Sequence, residues 1–297
     1  MISAPVGRDA SNVKDDVRIV QRLLNIEAAH RGGSERLVVD GLFGPMTAQA
    51  LDDAAYAMGY LLPTTYIDRH SALLWYLLSH VQPRMGTTLL RLMLPTISER
   101  RIDSFAPLLQ ACMARYDIRR PRRVAHFLAQ IAHESNGLQH TEELASGAAY
   151  EGRTDLGNRM PGDGQRFKGR GLIQLTGRAN YQAYSEARGI DLVTGDGPQR
   201  LADDLALATD VAGWFWQESG LNHVADRDDL TAITKRINGG TNGLASRRRY
   251  FRRAEAILLR AHSLLAFVTP STVAAASSPS QLATQTVSSV TVPPQAA

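Results

Sequence analysis

The sequence predicts a mainly α-helical, all-α protein, and three observations predict it. Apolar residues recur at i, i+3, i+4 spacing in run after run, glycine- and proline-bearing breaks separate the runs, and no convincing series of alternating strands lies between Thr87 and Ser263. At 297 residues and 44% hydrophobic, the chain has the size and composition of a globular protein with two small domains or one large one. Its longest apolar runs, such as SALLWYLLSHV from Ser71, fall short of the roughly 20 residues a bilayer span needs, so no stable membrane insertion is expected.

The first element is DDVRIVQRLLNIEA, where Val17, Val20, Leu23 and Leu24 fall at helical spacing. Asp40 and Gly41 then make a turn, Gly44 and Pro45 open a second amphipathic helix, and Thr47 falls in its first turn. VRIVQRLLN followed by VDGLFGPMTAQAL resembles the small three-helix peptidoglycan-binding domain appended to many cell-wall hydrolases. The resemblance covers about residues 10 to 60 and rests on the DGxFGxxT signature. YIDRHSALLWYLLSHVQPRMG adds an extra helix and a Pro and Gly break, which places a domain boundary near Pro83. The expected division is 1–82, 83–265 and a tail over 266–297. That tail carries no charge and is built from Ser, Thr, Ala, Val, Pro and Gln, so it buries too little apolar area to offset its ordering entropy and is expected to be disordered.

Within the second region, Val124, Phe127, Leu128 and Ile131 follow the i, i+3, i+4, i+7 rule, so the segment up to His133 reads as an amphipathic helix with one face in the core. Glu134 closes it, where the helix dipole disfavours a negative charge and burial would raise a carboxyl pKa; both favour a protonated acid. SNG ends the helix, and Glu143 follows nine residues after Glu134 on another piece of chain. One protonated and one ionised carboxyl on separate elements are what glycosidic cleavage requires. Spacing alone, however, does not select this pair from 29 acidic residues. His133 and Glu134 open like a zinc-protease helix, but the second histidine would have to stand one turn on, where Gly137 sits, and His140 lies past the break; no metal site is expected. Cys112, in PLLQACMARYD, reads as a small buried apolar residue and not a nucleophile, and a single cysteine allows no disulfide within the chain. FKGRGLIQLTG could be a short strand or a loop entering a helix.

AQIAHESNGLQHTEELASGAAYEGRTDLGNRMPGDGQRFKGRGLIQLTGRANYQAY, then AGWFWQESGLN and ITKRINGGTNG, closely resemble the catalytic domain of glycoside hydrolase family 19, over about residues 88 to 262. That family groups chitinases with the lysozyme-like endolysins of phages and prophages. The resemblance implies a lysozyme-like helical fold, with Glu134 of AHES as general acid and Glu143 as general base, Glu151 being the alternative base. It implies that Thr176 helps to hold the attacking water, and that Gln174, Asn180, Tyr181 and Asn238 stand at substrate-binding positions. Arg247, which resembles the arginine that pairs with the catalytic carboxylates, and His133, which adjoins the acid, are expected among the substrate-binding residues as well. Plant members have disulfides and a longer loop between the two glutamates. Neither is present here, which implies the compact lysozyme-like branch.

The expected function is therefore an endolysin-type hydrolase of the β-1,4 glycan strands of peptidoglycan, inverting, monomeric and without metal or cofactor. A chitinase and a non-catalytic wall-binding protein are the alternatives. The net charge of +4 and pI of about 9.4, set by arginines with only Lys14, Lys168 and Lys235 beside them, suit an anionic partner such as a cell wall, lipopolysaccharide or nucleic acid without selecting one. SRRRYFRRAEAILLR reads as the solvated face of a terminal helix, so no nucleic-acid partner is expected. The opening residues place charges where a secretory signal has its apolar core. Synthesis in the cytoplasm is expected, with action on the wall after release through a permeabilised membrane or a secretion system.

Overall fold

The computed structural model describes residues 1–33, 36–81 and 86–268. The elements in chain order are β1 (Val6–Gly7), α1 (Lys14–His30), α2 (Pro45–Met58), β2 (Tyr66–Ile67), α3 (Ala72–Ser79), α4 (Thr87–Met93), α5 (Glu99–Arg115), α6 (Pro121–Glu134), α7 (Asp163–Arg166), α8 (Arg178–Arg188), α9 (Gly197–Asp203), α10 (Leu205–Glu218), α11 (Leu221–Asp226), α12 (Leu230–Asn238) and α13 (Leu244–Val268). Short 3₁₀ turns at Ala148–Tyr150 and Thr154–Leu156 lie between α6 and α7. Helices dominate, as the periodicity requires, and among the described residues none is long and apolar enough to cross a membrane.

In the N-terminal unit, Val17, Val20, Leu23 and Leu24 are buried on α1. Buried Gln21 on the same helix organises the DGLFGPMT turn: its Nε2 donates to Asp40 Oδ1, Leu42 O and Thr47 Oγ1, while its Oε1 accepts from Gly41 N. Among the described residues, two helices lie within 10–60. The third helix packed on both is α3, the segment expected as an extra helix, and a two-residue antiparallel pair, Val6↔Ile67 and Gly7↔Tyr66, ties the ends of the unit together. The boundary expected near Pro83 lies outside the described residues. At the other end α13 runs to Val268, past the expected start of the tail at 266 and on the same helical period; the rest of the tail lies outside the described residues.

Buried apolar residues from Ile2 to Leu258 form one continuous cluster. The N-terminal unit joins it against α13: Arg253 of α13, 2% exposed, lies 3.6 Å from Asp15 and 3.7 Å from Asp16 and donates to Met93 O of α4. Asp16 Oδ2 in turn accepts from Ser3 N, Ser3 Oγ and Ala4 N. The most extensive helix pair is α6 with α13. Here the structure corrects the expectation of a one-faced amphipathic helix: α6 is buried from Arg123 through Ala132 and again at Glu134. Its polar residues turn inward because α13 covers the face that would otherwise meet water.

Candidate active site

Three polar residues of α6 recur at intervals of four, His126, Gln130 and Glu134, and so lie on one stripe. Each meets α13 or its neighbour. The His126 ring stacks on Phe251 with centroids 4.2 Å apart and its Nε2 lies 2.9 Å from Asp228 Oδ1. Gln130 Oε1 accepts from Arg247 Nη1 at 2.6 Å and its Nε2 reaches Thr234 Oγ1. Glu134 Oε1 lies 2.6 Å from Arg247 Nη2, and both side chains are almost wholly buried. Burial raises the Glu134 pKa, and the Arg247 cation pulls the other way without cancelling the rise. The chain leaves α6 through Asn136, Gly137 and Leu138, all at positive φ, with Ser135 Oγ donating to Ile131 O and accepting from Leu138 N. Helix α5 secures this exit, where Arg101 donates to Leu138 O and Gln139 O.

The chain then forms one side of a small strand-like layer, with isolated bridges pairing Glu142 with Arg170 and Arg170 with Leu175. GRGLIQL is thus a pair of extended contacts around a tight turn, and Gln174 occupies the left-handed region at φ 56°. Partly exposed Glu143 is fixed to this layer by backbone and side chain together. Its N donates to Gly169 O at 2.8 Å, while its Oε2 accepts from Gly169 N and its Oε1 from the Tyr150 hydroxyl, both at 3.0 Å. Lys168 Nζ donates to Glu143 O. A Cβ at Gly169 would stand 2.9 Å from Gln174 Oε1 and 3.2 Å from Glu143 Oε2, so the glycine makes room for both side chains. Thr176, 3% exposed, donates through Oγ1 to Gln174 O and accepts through its carbonyl from Asn180 Nδ2. Two carboxyls thus stand on separate elements, one buried beside a cation and one with a neutral donor on each oxygen.

Residues 103–235 match the family model described as chitinase class I. A glycosyl hydrolase family 19 domain-containing protein of Haemophilus influenzae is 30% identical over 159 residues, 43% of this chain and 76% of the relative. The chain belongs to glycoside hydrolase family 19. It is a glycoside hydrolase. An acidic 27 kDa endochitinase of Solanum lycopersicum is 35% identical over 117 residues, 39% of this chain and 44% of the relative, so less than half of that plant protein is spanned. Among solved structures, a bacterial family 19 chitinase aligns with a TM-score of 0.49 at 22% identity, covering 59% of this chain and 94% of that one. Chitinase C from Streptomyces griseus aligns at 0.48 and 24%, covering 59% and 76%.

Within the family 19 domain, four residues expected at the substrate stand in its walls. Tyr181 and Arg247 are fully buried, and Asn180 and Asn238 are 4% and 2% exposed. Tyr181 donates to Lys168 O and accepts from Arg170, while Asn238 donates to Asn242 O and accepts from Gly240 N. Their bonds shape the Gly169–Thr176 layer, the NGGTNG loop and the seat of Glu134, while Gln174 and His133 keep partial exposure. His133 faces Gly243, and burial, followed by Arg247 and Arg249, lowers its pKa to about 4. Glu151 is exposed, yet both its oxygens accept backbone N–H groups, from Gly162 at 2.7 Å and Gly164 at 2.8 Å. Those two bonds make Glu151 a staple of the 151–164 loop. Sequence reasoning missed Gln130, Tyr150 and Lys168. The four-residue polar stripe in an apolar helix would have flagged Gln130; the other two reach Glu143 only through the fold.

Proposed function

We propose that this enzyme cleaves the β-1,4 glycosidic bonds of peptidoglycan glycan strands, as an endolysin-type hydrolase. Glu134 protonates the leaving oxygen, while Glu143, with Thr176, directs water onto the opposite face of the anomeric carbon, an inverting reaction. The observation that carries this reading is the contrast between the two carboxyls. Glu134 is buried with a raised pKa against Arg247, and Glu143 is partly exposed with Tyr150 and Gly169 on its oxygens. The DGLFGPMT unit packed against α13 supports peptidoglycan as the polymer, and release through a permeabilised membrane or a secretion system would bring the enzyme to it.

The names of the plant relatives, endochitinases, favour chitin as a second reading. Incubation with purified, outer-membrane-stripped Gram-negative sacculi and, separately, with colloidal chitin distinguishes the two, followed by mass analysis of the soluble fragments. Clearing of the sacculi with new reducing ends on the glycan is the expected result. Soluble sugar from chitin alone would establish the second reading, and binding without cutting would leave a wall-binding protein and overturn both.

A further inference from the structure

Tyr150 touches no other catalytic candidate, yet its surroundings fix where its hydroxyl lies. The ring is 5% exposed at the end of a 3₁₀ turn that opens at Gly147, φ 82°, where a Cβ would come within 2.5 Å of Gly164 O. Behind the ring, buried Asn158 donates to Tyr150 O at 2.9 Å and accepts from Arg178 N. Glu151 closes the same loop onto Gly162 and Gly164. The loop is therefore held at Gly147, at the tyrosine itself and at Glu151, and the phenol ends 3.0 Å from Glu143 Oε1. The rest of the environment of Glu143 comes from other elements: Lys168 Nζ on its backbone oxygen and 3.5 Å from Glu142, Arg170 paired with Glu142 at 2.9 Å, and Tyr181 on Lys168 O. None of these groups donates to Oε1.

We propose that Tyr150 is a positioning residue for the base, its hydroxyl holding Glu143 in one orientation and favouring the charged carboxylate that accepts a proton from water. This rests on Glu143 being the base. A hydrogen bond to the charged form stabilises that form, so removing it shifts proton uptake to higher pH. Activity needs the ionised base, so the acid limb of the kcat/KM profile moves upward. Tyr150→Phe keeps the ring and removes the donor. On amidase-released glycan strands or soluble N-acetylglucosamine oligomers, the acid limb is expected to rise, with roughly tenfold loss of activity below it and little change on the plateau. In a Glu143→Gln background the same change should have no further effect. Glu151→Gln, which loosens the loop but leaves the ring, should move the limb the same way by less. A limb that stays in place while the melting temperature falls would reduce Tyr150 to packing and overturn the proposal. Full activity in Glu143→Gln alone would instead remove the base assignment, and loss of activity at every pH in Glu151→Gln would transfer it to Glu151.

Discussion

Glu134 and Arg247 form a pair in which each side chain is buried, so the proton on the carboxyl is set by a contest between desolvation and one cation. Desolvation wins, which suits a group that must donate. Arg247→Met removes this cation and raises the Glu134 pKa further. Because the proposed donor works protonated and fails as pH rises through its pKa, the alkaline limb of the rate profile should move up; a pH series on one soluble substrate checks it. His133 carries the opposite linkage. Its pKa falls to about 4 in the folded state against 6.5 for the free side chain, so below pH 6.5 the unfolded chain takes up a proton that the native one refuses. Stability should therefore decline from about pH 6.5 to pH 4, and His133→Gln should flatten that decline in melting curves taken across the window.

At the scale of elements, α6 and α13 place Glu134, the proposed acid, and a short extended layer places Glu143, the proposed base. The helical period of α6 was legible because Val124, Phe127, Leu128 and Ile131 repeat on one face, but its second buried face was not. Only the long-range arrival of α13 turns His126, Gln130 and Glu134 inward. GRGLIQL stayed ambiguous for a related reason: its pairing with Thr141–Glu143 joins residues far apart in sequence, and a three-residue contact leaves no alternating pattern. Resemblance singled out Asn180, Tyr181 and Asn238 but could not tell a group that touches sugar from one that braces the wall, since burial decides that. The α12–α13 loop tests this level. Gly243 has φ 70° and a Cβ there would strike the His133 ring, so Gly243→Ala should displace the turn beside Glu134. The expected result is a fall in kcat of tenfold or more with a lowered melting temperature.

Across the whole molecule, the N-terminal unit is seated on the catalytic body and does not hang from it. Its core is continuous with that of α13, and buried Arg253 sits beside buried Asp16 and partly exposed Asp15. The sequence showed the unit through VRIVQRLLN and DGLFGPMT, but the docking depends on single charges scattered over α1 and α13, which no local pattern links. Arg253→Met leaves Asp16 buried without its cation and should cost about 3 kcal/mol, and calorimetry should record one unfolding transition for both units in the parent protein. Two transitions would show independent modules. The measurement closest to the catalytic assignment is the rate of glycan cleavage by Glu134→Gln, Glu143→Gln and Glu151→Gln side by side, with folding verified for each. Loss of at least a hundredfold in the first two and a far smaller loss in the third is the predicted result. A Glu134→Gln or Glu143→Gln enzyme within tenfold of the parent would contradict it.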